Sequence, residues 1–131
     1  MARYVIAPEV ALRLAHDRVV VSGEHQLLAP TLFRSQVLSL LYQAVRRGEL
    51  TRQDADRQLT YVRGLRLRLL GDRVLQNVAW KLAEQLGWPD TLNAEYLALT
   101  TLQADAFVTL DAALARAVTG IVRTEPIDVL T

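Results

Sequence analysis

Asp111 closes the segment Ala104-Asp105-Ala106-Phe107-Val108-Thr109-Leu110-Asp111, an apolar run that ends in a threonine and a carboxylate. The run reads as a strand feeding a helix. An acid at the C-terminal end of such a strand stands at the crevice where open α/β sheets bind ligands. Two chemistries are open to it. It accepts from backbone N–H groups as a helix cap, or it joins other oxygen donors on a hard divalent cation. Glu9 follows a second apolar run, Tyr4-Val5-Ile6, and Pro8. It reads either as a first-turn acid favoured by the helix dipole or as a carboxylate able to reach back to the strand end. Thr109 reads as a strand hydroxyl close to Asp111. His16 and His25 are too isolated for a metal or catalytic pair. With no cysteine in the chain, disulfides and thiolate metal sites are excluded.

These residues need a scaffold, and 131 residues, 51% of them hydrophobic, suffice for one domain with a real core. Apolar stretches are too short and interrupted to span a bilayer. The N-terminal Met1-Ala2-Arg3-Tyr4-Val5-Ile6 enters a strand-like run without the apolar core of a signal peptide, so a cytoplasmic location is expected. Net charge is only +1, which excludes a generally basic nucleic-acid binder. Arginines concentrate in the middle, from Arg46 to Arg73. They read as solvated helix faces with local ion pairs to Glu49, Asp54 and Asp56, or as a phosphate-binding surface.

Tyr4 to Ile6 reads as a strand, and Pro8 opens a helix over Glu9 to Asp17. Gln26 to Ala29 is a second strand. Pro30 opens a long helix to Arg47, stopped by Gly48, with an apolar stripe through Leu32, Phe33, Val37, Leu40, Leu41, Ala44 and Val45. Thr51, with Asp54 three residues on, caps the next helix to Arg63 and Gly64. Leu65 to Leu69 alternates with arginine as a strand. Gly71-Asp72 starts a helix ended by Gly87, and Thr91 to Leu102 forms another. Ala106 to Leu110 is a strand, Asp111 caps a helix to Val118, and Ile121 to Ile127 holds a last edge strand. Strands alternating with helices imply a parallel sheet covered on both faces.

Gln36 lies at the edge of the buried stripe of its helix, where a polar side chain needs a hydrogen-bond partner. Asn93 is placed to cap the helix that contains it. Trp80 and Trp88 flank a helix end and are expected to pack in the core or against a partner. Tyr61, Val62, Leu65 and Leu67 suggest an exposed apolar patch.

Four segments together resemble the PIN domain family, and within it the VapC-like toxins of toxin–antitoxin pairs. They are Arg3-Tyr4-Val5-Ile6-Ala7-Pro8-Glu9-Val10-Ala11, Leu28-Ala29-Pro30-Thr31-Leu32-Phe33-Arg34-Ser35-Gln36-Val37, Ala94-Glu95-Tyr96-Leu97-Ala98-Leu99 and the segment ending at Asp111. The resemblance covers nearly the whole chain. It implies a single domain over residues 1–131, a three-layer α/β/α sandwich with a central, mainly parallel sheet. It also implies an endoribonuclease site in which clustered carboxylates hold Mg²⁺ or Mn²⁺, activate water and stabilise charge on the phosphate.

The family's acid positions fall on Ala7, Gln36, Asn93 and Asp111, of which only Asp111 is acidic. Gln36 and Asn93 are near-isosteric amides that offer a carbonyl oxygen without charge. The resemblance therefore leads to a degenerate site with weak or no metal binding. Asp111 and Glu9 remain as metal donors, with Glu9 a substitute acid and Thr109 beside them. Three functions follow as expectations: a PIN-fold protein with little cleavage activity that binds RNA, a small antitoxin protein or both; an active toxin ribonuclease rebuilt on Glu9, Asp111 and Asp90 or Glu95; or a non-catalytic interaction module. A homodimer is expected, and no membrane partner.

Overall fold

The computed structural model describes residues 1–131. The elements run β1 (Arg3–Ile6), α1 (Pro8–His16), β2 (Gln26–Pro30), α2 (Phe33–Arg46), α3 (Arg52–Gly64), β3 (Leu67–Leu70), α4 (Arg73–Leu86), α5 (Leu92–Gln103), β4 (Ala106–Val108), α6 (Ala112–Ala117) and β5 (Thr124–Glu125). A short 3₁₀ turn, Ile127–Leu130, ends the chain. The strands form one sheet in the order β3-β2-β1-β4-β5, with every neighbouring pair parallel.

The three central strands are apolar because both their faces are covered. Val5, Ile6, Ala29, Ala106 and Val108 have no exposed surface. On one face α1, α2 and α3 pack against one another, and on the other α4 lies over α5, which contacts β1, β2 and β4. The position of α5 explains its composition. Sandwiched between the sheet and α4, it buries Ala94 and every residue from Tyr96 to Thr100, so it lacks the polar face of a surface helix. The three-layer α/β/α arrangement with a parallel sheet is the expected one.

Local chemistry sets most boundaries. The side chains of Thr51, Asp72 and Asp111 each accept the backbone N–H three residues on, capping α3, α4 and α6. Gly87 ends α4 in the left-handed region at φ 67°, which glycine adopts without steric penalty. Asp105 aligns the starts of β1 and β4, accepting from the Arg3 N–H through its carboxylate at 2.7 Å while its own N–H donates to the Arg3 carbonyl at 2.8 Å.

Three boundaries depart from the sequence reading, the first being β4, which ends at Val108 and leaves Thr109 and Leu110 in the turn before α6. Pro30 does not open α2; it is the last residue of β2, in register with Leu70, a strand terminus where a missing N–H is tolerated. The helix begins at Phe33 after a turn through Thr31 and Leu32. β3 begins at Leu67, not Leu65, because Leu65 ends α3 and its carbonyl accepts from the Leu67 N–H at 2.8 Å.

Candidate functional site

The sheet's strand order reverses direction between β1 and β4, since β2 and β3 extend it one way from β1 and β4 and β5 the other. Such a switch point leaves a crevice beyond the carboxyl ends of the two strands. Ile6 and Val108 are paired at those ends, and the Ala7 N–H donates to the Val108 carbonyl at 3.1 Å. The chain leaves β1 into the first turn of α1, which carries Glu9, and leaves β4 through Thr109 to Asp111. From the two opposite layers, α2 contributes Gln36 and α5 contributes Asn93 and Tyr96.

Ala7, Glu9, Gln36, Asn93 and Tyr96 line one cleft of about 270 Å³. The fold thus brings three of the four positions at which the resemblance expects acids around one opening, together with Glu9. Asp111 lies in an adjoining hollow of about 350 Å³ with Trp88 and Asp90, and Asn93 and Leu114 form the wall common to both.

Tyr96, Gln36 and Thr109 are committed locally, whereas the Asn93 side chain is exposed without a protein partner. The Tyr96 hydroxyl donates to Gln36 Oε1 at 2.5 Å. Tyr96 is only 1% exposed. Burial pushes its hydroxyl well above the ordinary tyrosine range, and the negative charges of Glu9 and Glu95 push the same way. It therefore stays a neutral donor, which orients the Gln36 amide with its oxygen toward Tyr96. Burial also pushes the Glu95 carboxyl upward.

The Thr109 hydroxyl lies 3.4 Å from Glu9 Oε1, within donating range, and accepts from the Asp111 N–H at 3.1 Å. Asp111 Oδ1 accepts from the Leu114 N–H at 3.0 Å. Thr109 thus bridges the Glu9 carboxylate and the Asp111 backbone, while the Asp111 carboxylate turns to the start of α6.

A hard divalent cation requires several oxygen donors converging on one point, charged ones above all. No group of three or more His, Cys, Asp or Glu side chains converges in this way. At the positions where the resemblance expects acids stand a methyl group, two neutral amides and one capping carboxylate. These side chains do not form the carboxylate cluster that a resident Mg²⁺ or Mn²⁺ requires.

Other residues also find their places. Asn93 is not the cap of its helix. It is the second residue of α5, whose N-cap is Thr91, and the Leu92 N–H is taken by Asp90 Oδ1 at 3.0 Å. Asn93 is exposed, with its side chain at the mouth of the cleft. Trp88 packs on the edge of the core, whereas Trp80 is 65% exposed on the outer side of α4.

The apolar patch around Tyr61 is only partly exposed. Val62 is buried, and the Tyr61 hydroxyl donates to the Val19 carbonyl at 2.6 Å. Among the central arginines, Arg47 pairs with Glu49 and Arg52 with Asp56, while Asp54 pairs with none. Sequence reasoning missed Tyr96 as a site residue. Its signal was its spacing, three residues beyond Asn93 and so on the same helical face. Ser39 and Gln43, three and seven residues beyond Gln36, line the cleft for the same reason.

No model of a known protein family matches the chain, and no curated protein matches it in sequence. Solved structures do match. PAE2754 from Pyrobaculum aerophilum superposes with a TM-score of 0.76 at 19% identity, over 98% of this chain and 91% of that one. The structure of VapBC2 from Rickettsia felis bound to a DNA fragment from their promoter matches with a TM-score of 0.61 at 12% identity, over 95% of this chain and 98% of that one. Identities this low speak to fold. In its sheet order, its layers and its likeness to these structures, the chain has a PIN-like, VapC-like α/β/α fold.

Proposed function

We propose that this chain is a PIN-fold protein that works by binding rather than by efficient metal-dependent RNA cleavage, with a small antitoxin-like protein as its partner. The observation that carries the reading is the Tyr96–Gln36 hydrogen bond. At a position where the resemblance calls for a metal-binding carboxylate, a neutral amide oxygen is held by a buried neutral hydroxyl. Ala7 offers no donor, and Asp111 is occupied as a cap. The fold likeness to VapBC2 supports a protein partner, and RNA held in the cleft without cleavage is a compatible second ligand. Homodimer formation is part of the same proposal, with the exposed Trp80 as a contact.

The test is an RNA cleavage assay on purified protein with Mg²⁺ or Mn²⁺. Cleavage no greater than that of an Asp111→Ala variant is expected. Robust metal-dependent cleavage that Asp111→Ala abolishes overturns the proposal.

One observation favours the alternative of a rebuilt nuclease. Thr109 connects Glu9 to the backbone of Asp111, so the two acids stand on either side of one threonine. That reading requires divalent-metal binding that depends on both Glu9 and Asp111.

A further inference from the structure

A groove of about 400 Å³ runs between α2, α3 and β3, away from the switch-point cleft. Eight of its ten lining residues are hydrophobic, Leu38, Leu59, Leu67 and Leu69 among them, and its two charged residues are Arg34 and Arg63. Leu38 is 57% exposed at its mouth. Tyr42, one helical turn further along α2, is 65% exposed and extends the apolar strip.

β3 borders this groove and is the edge of the sheet. It pairs only with β2, so the backbone N–H and C=O groups of alternate residues on its outer side have no strand partner. Its side chains alternate between faces. Leu67 and Leu69 face the groove, Arg68 between them takes the opposite orientation, and Arg66 immediately precedes the strand. Arg34, Arg63, Arg66 and Arg68 take part in none of the three ion pairs of the chain.

We infer that this edge is a docking site for an extended segment of a partner protein that alternates apolar and acidic residues and adds to the sheet beside β3. The inference rests on the reading of the chain as a binding protein and names the chemistry of its partner. Three features select this occupant. An added strand satisfies the open backbone edge, as strand addition does in peptide recognition generally. Its groove-facing residues bury against Leu38, Leu59, Leu67 and Leu69. Its alternate residues meet Arg68 on the other face, where opposite-charge cross-strand pairs stabilise and like charges repel. An RNA strand meets the arginines but leaves the apolar floor uncovered. A second copy of β3 brings arginine against arginine.

The probe is a short synthetic peptide alternating valine with glutamate, compared with a twin carrying lysine in place of glutamate. Both are titrated into the full chain, followed by amide chemical shifts. The acidic peptide is expected to shift Leu67–Leu70 and Leu38 and to bind at least about tenfold more tightly than its twin. Arg68→Glu narrows or reverses that preference. Leu38→Ala, a change at an exposed position that leaves the core intact, weakens both peptides. Equal binding of the twins, shifts outside the groove, displacement of the peptide by a short RNA, or self-association through β3 each overturn the inference. Metal-dependent cleavage would overturn the proposed function and leave the peptide result standing; failure of the peptide leaves the cleavage result standing.

Discussion

Gln36 and Tyr96, sixty positions apart in sequence, meet at 2.5 Å beneath the mouth of the cleft. The tyrosine comes from the helix most enclosed by the fold, and the glutamine from the layer on the other side of the sheet. The bond therefore ties the two helical layers together where β1 and β4 end. The amide oxygen also faces a proton donor that does not ionise near neutral pH.

Removing the hydroxyl tests the strength of that tie. Tyr96→Phe is expected to lower unfolding free energy by about 1 kcal/mol, the usual net value of a hydrogen bond. Gln36→Leu, which leaves the buried hydroxyl without its partner, is expected to cost about 1–3 kcal/mol. Denaturant titration of the two single variants and the double variant reads the coupling between them.

Tyr96 also sets a pH dependence. Its folded-state hydroxyl titrates well above the ordinary tyrosine value of 10.0, whereas the unfolded chain's titrates near that value. A group raised in the folded state contributes stability that is complete below its unfolded value and is lost as pH rises above it. Wild-type stability is expected to fall above about pH 10, and Tyr96→Phe to fall less steeply. Thermal melts from neutral to alkaline pH measure the difference.

Glu95 carries a similar signature in the acid range. Burial pushes its carboxyl above the ordinary value of 4.5, so folding disfavours its charged form. Its contribution is complete below the unfolded value and declines as pH rises through the folded one. Glu95→Gln is expected to raise the melting temperature at neutral pH and to leave it nearly unchanged near about pH 3.5, where both states are largely protonated.

Capping and metal binding make different demands on Asp111. Asp111→Ala is expected to destabilise the chain by about 1 kcal/mol, the typical cost of losing a cap. Asp111→Asn keeps an oxygen for the Leu114 N–H and is expected to stay within about 0.5 kcal/mol of wild type, since asparagine caps as well as aspartate. A far larger loss for Asp111→Asn, seen only in the presence of Mn²⁺, points instead to a metal ligand.

Much of this fold was legible because its signals are local. Thr51, Asp72 and Asp111 sit one residue before their helices, and each caps as its spacing implies. The uninterrupted apolar runs at Val5-Ile6 and Phe107-Val108 mark strands covered on both faces. Pro30 is ambiguous in sequence because a proline suits both a strand end and a helix start, and its pairing with β3 decides between them.

Of the candidate site, the gathering of Ala7, Glu9, Gln36 and Asn93 follows from strand ends and helix faces. The Gln36–Tyr96 bond does not, since no local pattern links residues sixty apart. Asparagine favours capping positions, yet α5 starts at Leu92 after its N-cap Thr91, so Asn93 falls inside the first turn. The apolar groove was half visible in Leu65 and Leu67. Its other wall, Leu38, comes from α2 and only tertiary packing brings it there.

The most direct measurement is a calorimetric titration of Mn²⁺ into the wild-type chain, with the Asp111→Asn variant as control. With the acid positions held by Ala7, Gln36 and Asn93, no saturable heat is expected at millimolar Mn²⁺, and the two proteins should give the same trace. Saturable binding by the wild type that Asp111→Asn abolishes would contradict the reading of this cleft as a site without its metal.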